Sequence, residues 1–186
     1  MWVRRSAIRP VPRFAQVPES ALVLAASAAV SGRQGLERLA AAQPSLTRYL
    51  RQRFEQPLDT TALALGQTLA ASVFAAFEAA FGERLGVASD DTVSLVELSL
   101  AADEVLRQTD PMDALDSEDI VGIEQPALVA FVNEQIDETL DEHARSIDVD
   151  HVAVVFRTIL VQILVLSQAV APPPGFSTGR GPDPFA

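Results

Sequence analysis

The chain has 186 residues, 48% of them hydrophobic but only 6% aromatic, which suits one domain cored by small aliphatic side chains more than a β-sandwich. It has no cysteine, which excludes disulfides, thiolate nucleophiles and cysteine metal sites and favours a cytoplasmic setting. All 14 basic residues are arginine, and the net charge of −11 is polarised: residues 1–53 hold nine arginines against Glu19 and Glu37, the remainder five against 23 acids.

Residues 1–17, rich in arginine and proline and without apolar periodicity, read as a flexible arm. Arg4, Arg5, Arg9 and Arg13 precede the apolar run ALVLAASAAV at 21–30, and Ala26-Ser27-Ala28 has the form of a signal cleavage site. Pro10, Pro12, Pro18 and Glu19 argue against export, which stays the alternative to a cytoplasmic location. With Trp2 and Phe14 available for stacking, the four arginines also raise nucleic-acid binding. The acidic remainder would repel phosphate and no reading module is visible, so nucleic acid is not expected as a partner.

The main domain, 18–170, is helical throughout by its patterning, and the fold class expected is an all-α bundle of about six helices. A first segment, about 19–42, is interrupted near Ser31-Gly32 and divides into two short helices if the break is real. A second runs 44–56, with Leu46, Tyr49, Leu50 and Phe54 on one stripe. The third, about 59–81, is capped by Asp59 or Thr60 and closed by Gly82 and Gly86. Its residues 60–77 are uncharged over a length that could span a bilayer, but Gly66, Gln67 and Ser72 fit a buried bundle helix better, and no membrane span is expected. A fourth, about 90–108, starts at Ser89-Asp90-Asp91. Residues 109–124 read as an acidic connector broken by Pro111 and Gly122, with room for one turn of helix. A fifth, about 126–146, buries Leu128, Phe131, Val132, Ile136 and Leu140, and a sixth, about 149–170, is apolar on nearly all sides and belongs at the centre. The last 16 residues, APPPGFSTGRGPDPFA, read as a disordered tail.

One phrase occurs twice. QPSLTRYLRQRFE at 43–55 aligns without gaps to QPALVAFVNEQID at 125–137, and each leads into a long apolar helix. This predicts an internal duplication of a helix pair, 43–81 and 125–170. The copies differ in charge: Arg48, Arg51 and Arg53 in the first stand against Ala130, Asn133 and Gln135 in the second. The second carries Glu134, Asp137, Glu138, Asp141 and Glu142 instead, an acidic helix face that is the candidate interaction surface.

Residues able to carry chemistry are few. His143 and His151 are the only histidines and the only metal-ligand candidates; neither sits in a Glu-x-x-His pair, so no metal or other cofactor is expected. DPMDALDSEDIVGIE at 110–124 has calcium-loop composition without calcium-loop spacing. There is no nucleophile elbow and no glycine-rich phosphate loop. Arg157 is a lone cation in the most apolar helix: as a buried charge it needs a carboxylate partner, and otherwise it reaches the bundle edge or makes a structural pair.

The function expected is that of a non-catalytic protein–protein interaction module, an adaptor, regulator or assembly component acting through its acidic helix face and its tails. A small-molecule- or metal-binding bundle enzyme using His143 or His151, and an acidic inhibitor or immunity-type protein, are the alternatives. The partner's identity is not legible, and homo-oligomerisation stays open.

Overall fold

The computed structural model describes residues 6–27, 32–109 and 117–176. It is predominantly helical: eight α-helices and two short 3-10 turns, with no strand among the described residues. The helices are α1 (Glu19–Ser27), α2 (Gly32–Ala42), α3 (Pro44–Phe54), α4 (Thr60–Phe81), α5 (Asp90–Thr109), α6 (Ser117–Glu124), α7 (Pro126–His143) and α8 (Val149–Ala169).

Two of the eight change the expected count. The segment 19–42 is two helices, α1 and α2. The supposed acidic connector contains α6, whose Glu118 and Asp119 sit in its first turn, where carboxylates favour the positive end of the dipole. Ile120 and Val121 anchor that helix in the core, so its acidic letters describe only its outer side.

The two most apolar helices, α4 and α8, pack against each other through the middle of the bundle. Each is long and apolar enough to cross a membrane, yet more than half of each apolar window is covered by protein. Aspartate caps both: Asp59 accepts the Ala62 N–H at 2.7 Å, and Asp148 accepts the Asp150 N–H at 2.9 Å. Gly66 lets the pair approach, because a Cβ there would lie 3.3 Å from Val155 Cγ2 and 2.9 Å from the Phe54 ring.

Around this pair the helices are arranged reciprocally. α3 packs on α8 and α7 on α4; α1 packs on α4 and α5 on α8; α1 touches α7 and α3 touches α5. Each of these contacts has its counterpart when α1–α4 are exchanged for α5–α8.

The flexible arm is a correction over its described part, 6–17. Ile8, Val11, Ala15 and Val17 are buried in the common core. The backbone between them is held by acids and an amide of the second half. Asp103 of α5 accepts the Ser6 hydroxyl at 2.8 Å and the Ala7 N–H at 3.2 Å, and Glu124 of α6 accepts the Val11 N–H at 3.1 Å. The prolines set this stretch extended, and its apolar side chains alternate too irregularly to show a period. Of the expected tail, 171–176 is described: Ala171 N–H donates to the Arg84 carbonyl at 2.8 Å, and Phe176 meets Phe14 edge-on at 5.0 Å. The rest of the tail, with Arg4 and Arg5, lies outside the described residues.

Candidate functional site

The repeated phrase places its glutamine alike at both occurrences. Gln43 and Gln125 precede a proline at the first helical position and share one backbone conformation, φ −133° and ψ 68° against φ −136° and ψ 63°. Both are almost wholly buried. Gln43 donates to the Gly86 carbonyl at 2.8 Å and accepts the Ala88 N–H at 2.9 Å. Gln125 donates to the Ala15 carbonyl at 2.7 Å and accepts the Val17 N–H at 2.9 Å, with Ser167 Oγ as a second acceptor at 2.8 Å. Each amide therefore grips the carbonyl of one residue and the N–H two residues on. The gripped segment runs into the first helix of the opposite half, α5 for Gln43 and α1 for Gln125. Such a bidentate grip satisfies backbone groups that helices and sheets elsewhere would pair.

The arginines separate by role. Arg48 and Arg53 of α3 form ion pairs with Asp90 and Glu97 of α5, the first at 2.8 Å. The Ser45 hydroxyl and the Arg48 guanidinium beside Asp90 hold its carboxyl below the usual range. Burial raises the Tyr49 hydroxyl pKa against the opposing pull of Arg53, whose guanidinium lies over the ring. These contacts close the α3–α5 seam. Arg51 is exposed and makes no ion pair among the described residues.

At the α1–α7 seam the same positions read differently. Ala130 stands where α3 has Arg48, Gln135 where it has Arg53, and Glu19 where α5 has Asp90. An open groove of about 710 Å³ results, floored by Leu22, Ala127 and Phe131 and rimmed by Glu19 and Glu134. Val23 beside it is 64% exposed. Glu134, Asp137, Glu138, Asp141 and Glu142 all lie exposed along α7, and Glu138 accepts a bond from Gln135 at 2.9 Å.

The remaining candidates are dispersed. His143 is exposed at the end of α7. His151 meets Asp59 Oδ2 through Nδ1 at 3.0 Å, and the same carboxylate oxygen accepts the Asp148 N–H at 3.1 Å. The backbone N–H groups of Ala62 and Asp148, with His151 adding to them, hold the Asp59 carboxyl at about 2. This junction ties the start of α4 to the start of α8. No group of three or more metal-type side chains forms among the described residues. Of the two readings of Arg157, a buried charge and an edge pair, the structure has the second: its side chain is 48% exposed and pairs with Glu104 of α5. Arg9 and Arg13 are exposed on the packed arm.

Sequence reasoning missed the buried polar groups, Gln43, Gln125, Asp103 and Glu124. One signal was available. Asp103 continues the stripe of Val93, Val96 and Leu100, and Glu124 that of Ile120 and Val121, so each is a carboxylate on a core-facing stripe.

Comparison with protein-family models, with curated proteins and with solved structures finds no match.

Proposed function

We propose that this protein is a non-catalytic protein–protein interaction module whose docking surface is the groove between α1 and α7, continued by the acidic face of α7. The partner it fits is a basic amphipathic helix of another protein, its apolar side on Leu22 and Phe131 and its arginines toward Glu19, Glu134 and Glu138. The chain is built as two copies of one four-helix unit, α1–α4 and α5–α8, which extends the repeated helix pair to both neighbouring helices. Supporting the duplication are the two glutamine grips, the two aspartate caps and the reciprocal packing.

The observation that carries the functional reading is the contrast between two equivalent seams. At α3–α5 the gap is closed by Arg48 on Asp90 and Arg53 on Glu97. At α1–α7 alanine and glutamine leave it open, apolar below and acidic above. A helix that supplies arginines from outside restores the missing contacts, with helix-in-groove anchoring and charge complementarity acting together. Masking a basic site, as an inhibitor does, is one form of the same interaction. The metal-enzyme alternative has no comparable support, since His151 is engaged by Asp59 and His143 stands in the open.

The test is fluorescence anisotropy with a labelled amphipathic peptide of leucine, alanine and arginine, beside a counterpart carrying glutamate for arginine. The arginine peptide is expected to bind, and to weaken as salt rises from about 0.05 to about 0.5 M. Ala130→Arg, which imports the closing contact of the other seam, is expected to weaken binding at least tenfold, as is neutralising Glu134 and Glu138. Equal binding of the glutamate peptide, or indifference to Ala130→Arg, refutes the reading.

A further inference from the structure

A second cavity distinguishes the halves, and it lies away from the groove. It is a half-open cleft lined by α2, α3 and α4, with a volume of about 480 Å³, within the range of small-molecule sites. Leu36, Leu50, Phe54 and Leu63 supply apolar walls. Thr47 and Arg51, one helical turn apart on α3, both line it. The Thr47 hydroxyl is buried and meets no hydrogen-bond partner, and Arg51 is the one arginine of α3 without an ion pair among the described residues. A buried hydroxyl without a partner calls for an explanation, and here it stands one turn from an exposed guanidinium that no carboxylate among the described residues engages.

The corresponding positions of the second half carry different side chains. Aligned through the repeated phrase, Thr47 corresponds to Val129, which is buried, and Arg51 to Asn133, whose amide donates to Glu118 at 3.0 Å. Aligned through the aspartate caps, Gln67 corresponds to Phe156, which packs on the core. The second half thus has methyl, satisfied amide and aromatic ring where the first has hydroxyl, cation and the amide of Gln67.

We propose that the cavity between α2, α3 and α4 binds an amphipathic carboxylate, its hydrocarbon chain against Leu50, Phe54 and Leu63 and its carboxylate between the Thr47 hydroxyl and Arg51. Glu37 also lines the cavity but is paired with Arg33 at 3.2 Å. Glu55 lines it as well, so an alkylammonium is the competing ligand class, and the experiment separates the two. The inference is independent of the α1–α7 groove.

Isothermal titration calorimetry of the full chain with hexanoate, octanoate, decanoate and octylammonium provides the test. The alkanoates are expected to bind with affinity rising about fourfold per added methylene, and octylammonium to bind at least tenfold more weakly than octanoate. Gln67→Phe, which imports the aromatic ring of the second half at an exposed position, is expected to abolish octanoate binding without lowering the unfolding temperature. Arg51→Gln, exposed and structurally uncommitted, is expected to weaken octanoate at least tenfold, and it serves as the second variant should Gln67→Phe fold poorly. Absence of binding at millimolar alkanoate overturns the proposal, as does octylammonium binding as tightly as octanoate. So does octanoate binding that is unchanged in a folded Gln67→Phe or in Arg51→Gln.

Discussion

Replacing Gln125 with methionine, which keeps the shape of the side chain and removes its amide, isolates the grip on the N-terminal segment. Three hydrogen bonds disappear, and two leave buried backbone groups unpaired: the Val17 N–H and the Ala15 carbonyl. Ser167 is barely affected, since its hydroxyl still donates to the Ile163 carbonyl at 2.7 Å. A buried group left without a partner costs about 1–3 kcal/mol, so the two together predict a loss of about 2–5 kcal/mol after some relaxation. That is a large part of the 5–15 kcal/mol typical of a whole domain. Gln43→Met is expected to lose about half as much, because Gly86 is exposed and water can replace the amide at its carbonyl, leaving only the Ala88 N–H orphaned. Gln162→Met is the control. Its Nε2 bonds the Ala70 carbonyl at 2.8 Å, but its Oε1 is buried with no partner, so removing the amide also removes an unmet group. Its stability is expected to stay within about 1 kcal/mol of the parent. Urea unfolding followed by circular dichroism ranks the three, with midpoint shifts read at unchanged slope. If Gln125→Met unfolds within about 0.5 kcal/mol of the parent, the grip carries no energy and the reasoning from orphaned backbone fails.

Deleting residues 1–12 removes Ile8 and Val11 from the core and strips Asp103 and Glu124 of the bonds they accept from the segment. About 1.5–3 kcal/mol for each apolar side chain, less the ordering entropy of the released segment, predicts a net loss of about 2–4 kcal/mol by chemical denaturation; a truncated chain as stable as the parent restores the flexible-arm reading. Asp59 is held at about 2 against an ordinary 3.8, a depressed carboxyl, so its stabilisation is present in full above the unfolded value and is lost as pH falls through the folded one. The stability difference between the parent and Asp59→Asn is therefore expected to shrink from about pH 4 to about pH 2, measured as paired urea midpoints; a gap that is constant across that window contradicts the bonding at the α4–α8 junction.

The helices were legible because their apolar stripes recur at helical spacing and their starts carry proline or aspartate. What was not legible follows from two physical causes. Extended backbone held by side chains has no period, so the segment 6–17 looked unstructured although Ile8, Val11, Ala15 and Val17 are buried. Its partners are Asp103, Glu124 and Gln125, far along the chain, and no local pattern announces a bond across about a hundred residues. The acidic letters of 117–124 likewise concealed a helix whose other face carries Ile120 and Val121. Arg157 left two readings open, because an apolar helix does not reveal which of its sides reaches the edge; the pair with Glu104 places it there. Of the candidate surface, the acids on α7 were read directly. The groove they border was not, since it exists only through the approach of α1.

The charge difference between the two phrases can now be divided by position. Arg48 and Arg53 are spent on the α3–α5 seam, so their replacement by Ala130 and Gln135 removes a seam contact. Arg51 lines the cleft between α2, α3 and α4, and the matching Asn133 instead bonds Glu118. The acids from Asp137 to Glu142 have no counterparts within α3, because α7 runs 18 residues against 11 and carries them on its extra turns. One alignment therefore separates three differences: the seam arginines, the residues matching Thr47 and Arg51, and the acidic extension of α7. Under the docking function proposed above, the absence of these pairs on one side leaves a contact for an outside helix, and Ala130→Arg tests that reading with a single substitution.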